Sequence, residues 1–150
     1  EASGGRPHRA SIERLDERHG WEELGVRVAE VARGMRADAP DRGVFLLGSS
    51  YGVAATLAFY LPTGEEVHLW SPRRKHGENY RFWERFDELG GQDAIYVAKR
   101  LQQVEEALPE LREHFAEVAP AEELTIVRDG RAVRSFLLVR CRRFDGARPY

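Results

Sequence analysis

The sequence predicts an α/β fold: a three-layer sandwich of Rossmann-like type, with a mostly parallel sheet closed by a C-terminal antiparallel hairpin. Three observations carry this. Residues 44–48, Val-Phe-Leu-Leu-Gly, form a continuous apolar run ending at a glycine, as suits a central strand covered on both faces. Strand and helix patterns then alternate three times. Last, Asp129-Gly130 separates two strand-like segments and is the strongest short hairpin signal in the chain.

Residues 1–19 read as a linker or tail, Gly/Pro/Arg-rich at first and without apolar periodicity up to Arg9, with Ile12 and Leu15 as the earliest core candidates. A single domain spans 20–144, and 145–150 is a second tail. From Trp21 the spacing of Leu24, Val28, Val31 and Met35 predicts an amphipathic helix. The loop 38–43 precedes the central strand. Ser49 and Ser50 are suited to cap the next helix, whose Ala54, Ala55, Leu57, Ala58 and Leu61 let it lie close on a sheet until Pro62 stops it.

A turn at Thr63-Gly64 leads to a short strand over 66–70. The polar, basic loop 71–79 follows, then a helix over 80–89 that Gly90-Gly91 ends. Residues 94–98 are a third strand and 99–107 a helix. The apolar spacing continues through Leu108, Leu111, Phe115 and Val118, but Pro109 predicts a break and a short second helix. Residues 124–128 and 132–141 flank the hairpin turn.

Composition limits the function classes. A formal net charge of -2 gives no general case for nucleic acid as a partner. The single cysteine, Cys141, rules out an intramolecular disulfide and a cysteine-based zinc site. The five histidines lack metal-ligand spacing, and no metal or cofactor is expected. No run is long enough for a transmembrane helix, and the chain as given reads as soluble, whether a complete protein or one domain of a larger one. Paired carboxylates at Glu65-Glu66, Glu105-Glu106 and Glu122-Glu123 carry no mark of acid/base pairs.

Gly48-Ser49-Ser50-Tyr51-Gly52 matches G-x-S-x-G, which admits a serine hydrolase with Ser50 as nucleophile. The plainer reading is a strand-to-helix turn with a serine cap, and too few strands precede it for a hydrolase fold. Ligands of open α/β sheets bind beyond the carboxyl ends of the strands. Three loops leave those ends: one with Ser49, Ser50 and Tyr51, one with Arg73, Arg74, Lys75 and His76, and one starting at Lys99 and Arg100. Hydroxyls, a helix N-terminus and cations on one rim suit a phosphate or phosphosugar. No G-x-G-x-x-G or P-loop supports a nucleotide cofactor.

Several segments in order carry a family resemblance: Gly20-Trp21-Glu22-Glu23-Leu24, then Ser50-Tyr51, Ala54-Ala55 and Leu57-Ala58-Phe59-Tyr60-Leu61-Pro62, then Arg73-Arg74, Asn79-Tyr80 and Trp83, then Gly91-Gln92-Asp93-Ala94-Ile95-Tyr96-Val97. Together they resemble the C-terminal soluble domain of bacterial membrane glycosyltransferases of family 39, relatives of protein mannosyltransferases and the lipid A aminoarabinose transferase. The resemblance implies a polytopic parent using a polyprenyl-phosphate-linked sugar, with its catalytic acid outside this chain. It implies an extracytoplasmic (periplasmic) accessory domain that is not itself catalytic. Its partners would be the membrane-embedded part of the same polypeptide, and lipid headgroups or a glycan acceptor. This chain differs from the family pattern at Ser49, Gly52 and Ala55-Thr56. It agrees at Arg73, Arg74, Asn79, Tyr80 and Trp83, which puts the expected contacts on the second loop. The alternative is a stand-alone phosphosugar- or nucleotide-binding α/β protein.

Overall fold

The computed structural model describes the backbone of residues 2–62, 64–70 and 86–146, and the side chains of 18–62, 64–70 and 88–146. The elements run α1 (Ala2–Asp38), β1 (Val44–Gly48), α2 (Tyr51–Tyr60), β2 (Val67–Leu69), a 3₁₀ turn (Phe86–Leu89), β3 (Asp93–Ala98), α3 (Leu101–His114), β4 (Phe115–Val118), β5 (Glu122–Arg128) and β6 (Arg131–Phe144). One six-stranded sheet has the order β2-β1-β3-β6-β4, with β5 also paired to β6. β1 is parallel to both β2 and β3, while β6 is antiparallel to β3, β4 and β5. Five strands therefore run one way and β6 alone runs against them.

Strand alternation sorts the core into two layers. On one face Val44, Leu46, Ile95, Val97, Leu124, Ile126, Phe136 and Leu138 meet Leu24, Val28, Ala32 and Met35 of α1 and Val53 and Leu57 of α2. On the other, Phe45, Leu47, Ala94, Tyr96, Val139 and Cys141 meet Val104, Ala107 and Leu111 of α3. Burial on both faces explains the unbroken apolar run of β1, all of whose residues are buried. The α/β three-layer sandwich is as the sequence predicts.

Four local expectations differ. The stretch 2–19, read as linker, is helical backbone continuous with the core helix. Among its described side chains the buried stripe starts at Trp21 and continues through Leu24, Val28, Ala32 and Met35. Pro109 does not break α3, which runs through it to His114. Pro109 is exposed, and Val104, Ala107 and Leu111 on either side of it are held on the sheet. That packing offsets the one backbone hydrogen bond a proline removes. Phe115 and Val118, read as helical, form β4 on β6. Their spacing continues the helical period, and pairing with β6 overrides it. The hairpin closes the sheet as expected, with β5 at the edge. β6 is interior, between β3 and β4. The helix expected over 80–89 has its described part, Phe86–Leu89, as a 3₁₀ turn.

The hairpin turn itself has Asp129 at φ 55 and Gly130 at φ 75, the two left-handed positions of a type I′ turn. β4 and β5 lie end to end along the same side of β6. Pro120 falls in the gap between them, where no ladder N–H is needed.

Cys141 is buried in the second layer, and burial pushes its thiol up from 9.0 to about 12. A thiolate is the reactive form, so the folded protein should not react with iodoacetamide at pH 8, and should react once unfolded. Labelling of the native chain at the unfolded rate would contradict this burial.

Candidate functional site

The carboxyl ends of β1 and β3 lie side by side, Gly48 opposite Val97. α2 leaves β1 toward one face and α3 leaves β3 toward the other. This divergence between neighbouring parallel strands is the position where open α/β sheets hold ligands.

The turn after β1 is tight. A Cβ on Gly48 would lie 2.7 Å from the Ala54 nitrogen and 2.8 Å from its Cα, so only glycine lets α2 start this close to the strand. Ser50 is the N-cap of α2, and its Oγ accepts a hydrogen bond from the Val53 N–H at 3.2 Å. Its backbone is ordinary extended chain, φ -147 and ψ 165. A nucleophile elbow needs a strained turn. Ser50 has no such strain, and its hydroxyl serves the helix.

Ser49 is nearly fully buried, and its N–H donates to the Val97 carbonyl. Its Oγ donates to Gln103 Oε1 at 3.1 Å. The same Gln103 oxygen accepts from the backbone N–H groups of Lys99 at 3.0 Å and Arg100 at 3.3 Å. Three donors thus converge on one side-chain oxygen at the start of α3. Beneath it, the Tyr96 hydroxyl donates to the Gln103 carbonyl at 3.2 Å. Burial holds the Tyr96 phenol above its ordinary pKa. This phenol therefore stays protonated as a donor.

The rim above is cationic and aromatic. Lys99 Nζ stands 5.3 Å from the ring centroid of Trp21, and Arg134 Cζ 5.8 Å from the same ring. Lys99 and Arg100 are exposed, and Tyr51 is 40% exposed.

Of the residues predicted for the site, the structure brings Ser49, Ser50, Tyr51 and Lys99 to this rim. Arg73, Arg74, Asn79 and Tyr80 lie outside the described residues, as do Lys75 and His76. Trp70, at the end of the strand predicted over 66–70, is a core residue packed on Phe115, Phe144 and His114. The carboxylates Glu65 and Glu66 meet Arg36 and His68, each at 2.8 Å. Among the described residues no group of three His, Cys, Asp or Glu side chains is arranged to hold a metal.

Sequence reasoning missed Gln103, Trp21 and Arg134 as members of the rim. No local motif marks them, since they come from α3, α1 and β6. It also passed over Asp93, whose side chain is 1% exposed at the opposite end of β3. Asp93 accepts from Arg42 Nε at 3.0 Å, Arg42 Nη2 at 3.3 Å, Arg142 Nη1 at 3.1 Å and the Arg143 N–H at 3.0 Å. The hydrogen bond to Asp93 raises the Arg42 pKa. A carboxylate opening an otherwise apolar strand was the available signal, because a buried charge needs a partner. A cleft of about 440 Å³ beside β4 is lined by Glu117, Glu122, Arg140 and Arg142. Three of these charges are engaged within the protein, Arg140 with Glu122 at 2.9 Å and Arg142 with Asp93.

No family model matches the chain, and no curated protein or solved structure is significantly similar to it.

Proposed function

We propose that this chain is an extracytoplasmic accessory domain of a polytopic membrane glycosyltransferase whose donor is a polyprenyl-phosphate-linked sugar, and that the domain performs no chemistry itself. The segment order from Gly20 to Val97 supports the family. One structural observation supports a binding rather than a catalytic role. At the divergence of β1 and β3, the Ser49 hydroxyl and the Lys99 and Arg100 N–H groups are all spent on Gln103, and the Ser50 hydroxyl caps α2. What faces outward there is Lys99, Arg100 and Tyr51: cations and an aromatic ring, suited to an anionic phosphate ester or headgroup. Among the described residues no helix is long and apolar enough to cross a membrane, so the spanning part of such an enzyme would lie elsewhere in the polypeptide.

The gene tests the accessory role. Its reading frame should encode several hydrophobic spans joined to this chain, and an alkaline phosphatase fusion at this domain should be active, as it is only outside the cytoplasm. An independent open reading frame without spans would overturn the reading. The rim has its own test. Lys99→Ala with Arg100→Ala should weaken binding of a phosphosugar measured by calorimetry by about tenfold, the loss of one to two exposed charge contacts. Arg73→Ala with Arg74→Ala should weaken it too if the second loop contributes, and unchanged affinity in both variants would reject the rim as the site.

The rim also favours a second reading, a stand-alone phosphosugar-binding protein. Phosphosugar binding by a chain whose gene carries no membrane span would select it.

A further inference from the structure

We propose that the outward face of α2 docks on the surface of an anionic lipid bilayer. α2 is ten residues long and contains no charged side chain, in a protein where 32% of residues are charged. Its inward arc, Val53, Ala54 and Leu57, is buried. Its outward arc is Tyr51, Ala55, Ala58 and Phe59, at the i, i+4, i+7 and i+8 spacing of one helix face, and all four are exposed. A helix that meets water normally carries polar side chains on that side. Here Phe59 is 79% exposed and Tyr51 40%. The Phe59 ring stands edge-on to Tyr60 at 4.9 Å. Val26 of α1 is exposed too, next to the point where Gly25 and Tyr60 bring the two helices together.

Charge at one end of this face identifies the occupant. Gln103 ties the residue before the α2 cap to the first turn of α3, so exposed Lys99 and Arg100 stand beside the N-terminal end of α2. An apolar strip ending in an aromatic residue and two cations matches a bilayer boundary. The aromatic and aliphatic side chains enter the interface and the cations meet anionic headgroups. α2 offers no acid that would receive those cations from a second copy of the chain. The proposal deepens the accessory-domain reading by naming the surface that would face the membrane, but its observations are on this chain alone.

Sedimentation with sucrose-loaded vesicles tests it, using the purified 150-residue chain. The chain should bind phosphatidylcholine vesicles that contain phosphatidylglycerol, and bind pure phosphatidylcholine much less. Phe59→Glu should lower binding to the anionic vesicles about tenfold, the loss expected when one large apolar side chain no longer leaves water. Its position on the exposed face leaves the fold intact, which circular dichroism checks. Lys99→Glu with Arg100→Glu should remove the preference for anionic vesicles. The proposal is overturned if the wild-type chain binds neither vesicle, or if Phe59→Glu binds as well as wild type. It is also overturned if the chain instead self-associates through this face, seen as a dimer in analytical ultracentrifugation that Phe59→Glu dissolves. The accessory reading fails at the gene and this proposal at the vesicle, so the two failures are distinct.

Discussion

Gly48→Ala should destabilise the protein by about 3 kcal/mol, at the upper end of the cost of forcing one methyl into a packed site. The added Cβ would meet the nitrogen, Cα and Cβ of Ala54 at 2.7, 2.8 and 2.9 Å. Two of these are backbone atoms of α2, so no side-chain rotation relieves the contact. To make room, either α2 lifts from the sheet or β1 shifts in its register with β2 and β3. For a chain of this size, about 3 kcal/mol lowers Tm by roughly 6–12 °C. Gly52→Ala, one turn on, is the control. A Cβ there would meet only the Ser50 hydroxyl, at 3.9 Å, and residue 52 is helical. Alanine favours that conformation, so Tm should hold or rise slightly. If Gly48→Ala melts with wild type, β1 and α2 do not approach as closely as this.

Asp93→Asn should cost about 3 kcal/mol, the low end of the range for breaking a buried charge pair. The carboxylate accepts four hydrogen bonds from Arg42, Arg142 and the Arg143 backbone. An asparagine in its place accepts with one oxygen only and turns an NH₂ group toward guanidinium donors. The low end applies because Arg42 and Arg142 are each 22% exposed and can regain water when their partner is lost. The Asp93 carboxylate also holds Arg143 in a left-handed conformation, φ 62, which a non-glycine residue adopts only with help. Arg142→Ala should cost less, because Arg42 and the Arg143 N–H remain on Asp93. Urea unfolding of the two variants measures the difference. Equal costs would mean that the pair Asp93–Arg142 alone carries the cluster.

The central unit was legible because each of its signals is local. An apolar pentapeptide ending in glycine, two serines and an uncharged helix stopped by proline give β1, the Ser50 cap and α2 without reference to the rest of the chain. The Asp-Gly turn was legible for the same reason, since two consecutive left-handed residues leave few sequence choices. Ser49, Ser50 and Lys99 could be named as rim residues once strands and loops were ordered. The misreadings fell where a neighbour decides. Phe115 and Val118 keep the helical spacing, and pairing with β6 makes them a strand. Pro109 ends an isolated helix, but the contacts of Val104 and Leu111 carry α3 past it.

By itself the sequence determined the α/β class, the strand and helix that open the sheet, and the hairpin turn. These rest on side-chain periodicity, backbone permissiveness and composition, which act within a few residues. Tertiary structure alone decided that β6 enters the sheet between β3 and β4, that Gln103 takes up the donors at the ends of β1 and β3, and that Lys99 and Arg134 share the Trp21 ring. It also decided that Asp93 is held by arginines 51 and 49 residues away. Such contacts join distant parts of the chain, and their energies depend on burial and distance, which exist only after the chain has folded.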